Sequence, residues 1–441
     1  MLCSSKSLYL FFGKLRKTIR FDGLPDIKVR GGALYYAIFV MFFLSMLGIL
    51  FLTFFQIQFK EDHLFYKKNE LSDNLHSALT LIAAEPSLIP VGDEKRIDVF
   101  ADSSAFVDFA VERWGMLRKV TAVCQWRSLV LKRIVLMGEK EENRPVLWMP
   151  DNKSFISLVG KSYINGDCYL PEQGIRKGNA EGRYFEGPFL HKGKLYRSDE
   201  QLPSLKNELV QYINSYLEGE KNKSDSLFLW NNINAKSEKY NSFKDKTLYI
   251  QSSEKLILDR GKFTGNIIFY SPDTIEIWPS VSLKDVMLFG KTIIFKEEFK
   301  GQLQAFAKNN VIIGKNCELT YPSFLGCLND KSGFNILIEE GSLINGGIIG
   351  DSKSRGQENS LLWQKKRSKI IGKAYINGDC RLHGDIIGTL YCNRFILRTS
   401  RAFYENFLID CTIDEVKLSK DFVSFCINDN VQALEIIKEC H

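Results

Sequence analysis

The longest apolar run lies near the start of the chain. ALYYAIFVMFFLSMLGILFLTFF (Ala33–Phe55) sits inside an interval from Arg30 to Lys60 that carries no charge. At ~1.5 Å per residue such a run crosses a ~30 Å hydrocarbon layer with room to tilt. It predicts a transmembrane helix over 33–59. Leu64, Leu71, Leu75, Leu79 and Ile82 follow at steps of seven, four, four and three, which is one face of a helix. A juxtamembrane helix is therefore expected within 60–92, stopping near Glu85-Pro86. Alternation then takes over. VDFAVERW, KVTAVCQW, SLVLKRIVLM, VLWM and SFISLVG read as strands between polar turns and predict a small β-rich domain over 93–170. Residues 171–246 are polar and irregular, a linker with one helix over 204–219. Ser204 is its expected N-cap, Leu205, Leu209, Ile213 and Leu217 its apolar face, and Gly219 its end.

From about residue 247 the pattern changes again. One series steps by six through Ile275, Val281, Met287, Ile293, Phe299, Ala305, Val311, Cys317 and Ser323. A second runs through Ile277, Leu283, Phe289, Phe295, Gly301, Ala307, Ile313, Leu319 and Leu325. Sixteen of these eighteen positions are apolar. A period-two strand alone does not hold phase that long. Six residues per wall and three walls per turn give coils of about 18 residues, the arithmetic of a parallel β-helix. Glycines Gly372, Gly378 and Gly384 are also six apart, as corner residues would be. GKSYINGDC (Gly160–Cys168) returns as GKAYINGDC (Gly372–Cys380), and INGG at Ile344–Gly347 lies 32 residues before INGD at Ile376–Asp379. The expected meaning is one coil of three hexads plus a bulge, with the module as a corner and strand of stacked coils. The fold class expected is mainly β: an N-terminal transmembrane helix, a small β-rich domain and a C-terminal parallel β-helix over 247–427. A loop insertion is expected at 351–368 and a C-terminal cap at 428–441, where VQALEIIKE has helical spacing.

Charge refines the topology. Residues 1–32 hold seven basic side chains against Asp22 and Asp26, so +5 of the net +7 lies there. This basic leader predicts a cytoplasmic N-terminus by the positive-inside rule and an extracytoplasmic bulk, in periplasm or envelope. FFQIQFKED offers no small-residue cleavage site, so an uncleaved single-pass signal anchor is expected. The remaining charge is near balance, without the footprint a nucleic-acid binder needs. The expected partners are the lipid bilayer and either further copies or other envelope proteins. Ten cysteines, nine of them beyond the anchor, show no zinc spacing. Cys168 and Cys380 share a place in the repeat and are expected to be buried packing residues.

The chemistry the chain offers is thin. Its five histidines form no HxxxH pair, so no metal site and no cofactor are expected. No GxSxG, P-loop or dinucleotide fingerprint is present. Asp167 and Asp379 recur in INGD and are expected to cap turns rather than act as acid and base. Trp278, Tyr321 and Trp363 are the candidate ligand-facing aromatics of a sugar-binding groove. A non-enzymatic role is expected.

IIGKAYINGDCRLHGDIIGTLYC (Ile370–Cys392), together with 275–349, resembles the bactofilin or polymer-forming β-helix family. That resemblance implies apolar side chains pointing into a narrow core and a structural role. The chain departs from the family in its long membrane-anchored N-terminal part. VRGGALYYAIFVMFFLSMLGIL is similar to the N-terminus of minor pilins and pseudopilins: a basic leader, glycine, then a long apolar helix running into an amphipathic one. This implies processing after Gly31 or Gly32, although the glutamate expected after the cut is missing at Tyr36 or Ala37. Hexapeptide acyltransferases also use six-residue coils, and that likeness would make His383 a general base.

Overall fold

The computed structural model describes residues 32–101, 105–141, 143–222, 225–230, 238–329, 332–352, 360–425, 427, 431 and 433–440. The chain divides into two compact units, Met1–Lys67 and Lys68–His441.

In the first unit the described residues belong to helix α1 (Gly32–Ala84), which continues into the second. With no proline inside it, the helix runs 53 residues, about 80 Å. Its apolar side chains from Leu34 to Phe59 are exposed, and it is long and apolar enough to cross a membrane. Gly32 is its first residue, while Gly31 lies outside the described residues.

The second unit begins with the amphipathic end of α1. Leu71, Leu75, Leu79 and Ile82 are buried as their spacing predicts, whereas Leu64 is exposed. The helix stops at Ala84, before Pro86 removes a donor. The buried face packs on an antiparallel meander of β1 (Glu94–Asp98), β2 (Phe106–Trp114), β3 (Leu117–Trp126) and β4 (Leu129–Lys140). Val107, Phe109, Val111, Val120 and Ala122 meet it. Where the spacing of VQALEIIKE predicts a helix, Ala433–Cys440 is a strand that adds antiparallel to β4. β-branched Ile436 and Ile437, beside the open edge of β4, override the helical spacing. Residues 433–440 thus extend the meander.

The rest of the unit is a parallel sheet wound into three walls around one apolar interior. Each wall is a ladder of strands from successive turns. On one wall Phe269, Leu288, Ala305, Leu325, Ile348, Ala374, Leu390, Leu147 and Cys168 stand in a single inward column. The order of that column differs from chain order. Residues 147–197 add their strands beyond 385–414, through Leu390↔Leu147, Phe407↔Ser157 and Ile413↔Ile164. The expected domain ending at 170 and linker starting at 171 are therefore not separate bodies. Residues 198–222 run outside the walls, carrying helix α2 (Asn207–Leu217). Leu209, Ile213 and Leu217 are its buried face as predicted. Its N-cap is Lys206, with no side-chain cap, rather than Ser204. Gly219 ends it at φ +84°.

Turn length varies. Partners lie three hexads apart at Ile275↔Ile293, Ile293↔Val311 and Leu362↔Cys380. The offset is longer at Leu256↔Ile275, Val311↔Ile336 and Ile336↔Leu362, and shorter at Cys380↔Phe395. Ile344 stacks on Ile370 rather than on Ile376, so INGG and INGD are not stacked. The bulge is narrower than 351–368, because Leu361–Gln364 is itself a strand. Seventeen of the eighteen hexad positions are buried, Gly301 being the exception. Met287 and Phe289, however, face outward under α2, and Val286 and Leu288 take the interior. Register shifts on either side of 286–290 reverse the parity of that strand.

The two copies of the nine-residue repeat occupy different places on the circuit. Ile164 stands in the column of Ile413, Ile386 and Ile370, whereas Ile376 stands beside Gly350 and Cys392. Their inward residues match all the same: Ile164 and Cys168, Ile376 and Cys380 are all in the interior. The duplicated nine residues turn a corner in both copies, the first from the wall of Ile413 to that of Leu147, the second from the wall of Gly350 to that of Leu362. The true corner column is Gly346, Gly372 and Gly388, partners of one another at φ +147°, +136° and +136°.

Candidate functional site

The sequence-predicted aromatics do not converge. Trp278 is 43 % exposed, with Lys296 Nζ 5.8 Å from its ring centroid. Trp363 lies on the same wall four strand spacings away, roughly 19 Å. Lys365 and Arg381 stand 3.7 and 4.5 Å from its ring centroid. Tyr321 packs on Phe422 and donates its hydroxyl to the Val423 carbonyl at 2.9 Å. Burial pushes that hydroxyl up to about 12. It is a packing residue.

The repeated carboxylates tie neighbouring turns together, where turn caps were expected. Asp167 Oδ1 accepts the Lys194 amide at 2.8 Å, and Asp379 forms a two-pronged pair with Arg394. His383 is pushed below its ordinary range by burial and by Arg381, Lys366 and Lys365. Its amide donates to the Gln364 carbonyl within the wall. A cleft of about 870 Å³ opens between β2, α2 and the first turns of the wound sheet. Glu112 and Lys119 pair across it at 2.5 Å, and no His or Cys lines it. Among the described residues no three His, Cys, Asp or Glu side chains group as a metal site. Cys124, Cys168, Cys317, Cys327, Cys380, Cys392, Cys411 and Cys440 are buried free thiols, which fits packing.

Open backbone edges lie at the two ends of the wound sheet. At one end Leu195–Arg197 pairs with Cys168–Leu170, and His191–Lys192 with Ile164–Asn165. At the other, Ser226–Leu229 pairs with Leu248–Gln251, and Glu238–Asn241 with Lys262–Gly265. Among the described residues no strand lies on the outer side of Leu195–Arg197, His191–Lys192 or Ser226–Leu229. Apolar side chains stand at these ends: Leu195, Tyr196, Leu227, Phe228 and Leu229 are all exposed. Phe228 and Leu195 are the two end members of one inward column, the one that passes through Ile250, Phe269 and Cys168. All strands of this wall run parallel. Laying one end on the other would therefore continue the ladder with the same inward and outward parity.

Outside that wall runs a ladder the hexad pattern did not reveal: Tyr270, Phe289, Phe306, then Ile349, Tyr375, Tyr391, Trp148, Tyr169 and Tyr196. Its middle is sealed by α2 and the meander. Tyr169 and Tyr196 stack at 4.9 Å at the open end. The signal was present only as aromatics beside inward positions, and turn length had to be known to align them. No protein-family model, curated protein or solved structure matches the chain.

Proposed function

We propose that this chain is a membrane-anchored, non-catalytic extracytoplasmic scaffold or assembly subunit. In this reading the wound sheet is a parallel β-helix of the bactofilin-like kind, its turns built on three hexads, lengthened by insertions and shortened between Cys380 and Phe395. The basic leader stays in the cytoplasm, α1 crosses the bilayer, and the coils stand outside it. The observation that carries the reading is the pair of uncovered parallel edges, Leu195–Arg197 and Ser226–Leu229, ending one common column. An open parallel edge with apolar side chains is a template for another strand. Two different, complementary ends of one body give a head-to-tail contact that does not close, hence a filament. The test is sedimentation velocity of the full chain in neutral detergent across a concentration series. Assembly growing with concentration is expected, with loss of it in Leu227→Pro, which removes a donor from the open edge, since Ser226 donates to the Thr247 carbonyl on the inner side and Leu227 faces the other way. A strictly monomeric wild type at all concentrations would sink the reading.

A pseudopilin-like component of a secretion or pilus-type machine is the second reading. It is favoured by the unbroken run of α1 from Gly32 into an amphipathic half that packs on the meander. Mass spectrometry of the mature N-terminus decides. Cleavage after Gly31 or Gly32 with N-methylation supports it, and a chain retaining Met1 leaves a plain anchor.

A further inference from the structure

A second cavity, of about 340 Å³, lies between the turn after α1 and the start of α2. Its walls carry three basic side chains, Arg113, Arg118 and Lys206. All three are nearly withdrawn from water, their side chains 6, 10 and 7 % exposed. One buried carboxylate, Glu139, serves two of them. Arg118 Nη2 reaches it at 2.8 Å, and Lys206 Nζ at 3.1 Å to both oxygens. Arg113 is left over. The carboxylate it approaches, Glu208, is 3.9 Å from Nη2 and 78 % exposed. Among the described residues its Nε makes no hydrogen bond. Burial lowers the guanidinium's affinity for its proton; Glu139 opposes that effect and Arg118 reinforces it. A buried guanidinium with an unmade bond is costly. Helix α2 also starts here without a capping side chain, so its positive end is turned toward the same space.

Counting Arg113, Arg118 and Lys206 against Glu139 and Glu208 leaves one positive charge in excess. Arg113 Nε is itself shut off from the space, so the two Nη groups are the edge that an oxyanion with two oxygens on one centre would meet. Pro86, Pro90, Val91 and Val431 line the rest, and the space exceeds what one oxyanion fills. We propose that this cavity binds a small organic anion, a carboxylate or phosphate head on a short apolar body, with Arg113 as its principal ligand. The site belongs to no part of the scaffold reading and stands whether or not the coil ends assemble.

The experiment uses the full chain in neutral detergent, with thermal unfolding followed during titration with sodium butyrate, sodium phosphate and, at matched ionic strength, sodium chloride. A saturable rise in Tm with butyrate or phosphate beyond chloride is expected, and which of the two acts identifies the head group. Arg113→Gln should weaken the apparent affinity at least tenfold, and Arg113→Lys, which keeps charge but loses the fork, should also weaken it. Glu208→Gln, which removes the competing carboxylate, should bind as tightly as wild type or more so. Should Arg113→Gln fail to fold by far-UV circular dichroism, the Arg113→Lys and Glu208→Gln pair decides. The proposal is overturned if neither anion exceeds chloride in the wild type. It is equally overturned if the foldable Arg113 variants bind as the wild type does, or if Glu208→Gln abolishes binding.

Discussion

A methyl group at Gly372 is the sharpest probe of the winding. Gly372 sits at φ +136°, and a Cβ there would lie 1.8 Å from the Gly346 carbonyl oxygen and 2.6 Å from the Phe422 ring. The backbone oxygen belongs to the neighbouring turn, so relief requires the two turns to move apart. Holding alanine at a disfavoured positive φ costs roughly 1–3 kcal/mol, and overpacking a close-packed contact roughly 1–3 kcal/mol more. Gly372→Ala should therefore lose about 2–6 kcal/mol. Gly174 is the control: it too has positive φ, +62°, but nothing lies within 4 Å of an added Cβ. Gly174→Ala should lose only about 1–2 kcal/mol, the left-handed penalty alone. The assay is urea unfolding of the full chain in detergent by far-UV circular dichroism. Equal losses in the two variants would refute the close approach of turns at that corner. A small loss at Gly372 would do the same.

Other consequences are open to direct measurement. Phe306, fully buried and stacked on Phe289 at 5.3 Å, should cost about 3–5 kcal/mol on truncation to alanine. Trp278→Ala should stay within ~0.5 kcal/mol and leave any cell-wall polysaccharide pull-down unchanged. Glu139→Gln, which strips the buried pairs of Arg118 and Lys206, should lose about 3–5 kcal/mol in the same urea assay, and a near-neutral result would count against that cluster. His383 is depressed in the folded chain, so its contribution is complete above the unfolded value of ~6.5 and is lost as pH falls through the folded one. Stability should drop as pH falls below about 6.5, by less in His383→Gln. Burial raises the Cys168, Cys327, Cys380 and Cys411 thiols. These should resist iodoacetamide at about pH 8 until the protein is unfolded, as read by peptide mass spectrometry.

The parts of the fold legible in the sequence are those governed by local pattern. The uncharged run to Phe55, the Leu71–Ile82 stripe and the hexads around Ile293 and Val311 each follow from side-chain periodicity over a few turns. Parity at Met287 and Phe289 was not legible, because the register shifts beside Lys284 and Gly290 carry no signature in residue type. The spacing of INGG and INGD misled for a different reason. The motif repeats per hexad, while the turn is set by which strand pairs next, and Ile344 meets Ile370. The joining of 147–197 beyond 385–414 rests on pairs such as Leu147↔Leu390, whose separation no local pattern records. The basic cavity shares this property, since Arg113, Arg118 and Lys206 are ordinary surface types until β2, β3 and α2 bring them together.

Assembly through the free ends of the wound sheet would bring Leu195 of one chain beside Phe228 of the next. The direct measurement mixes two singly substituted full-length chains, Leu195→Cys and Phe228→Cys, in neutral detergent and reads mixed-chain disulfide under mild oxidation on a non-reducing gel. Head-to-tail stacking predicts the mixed dimer from the pair and little from either variant alone. Monomer in every lane, or equal dimer from each variant by itself, would contradict it.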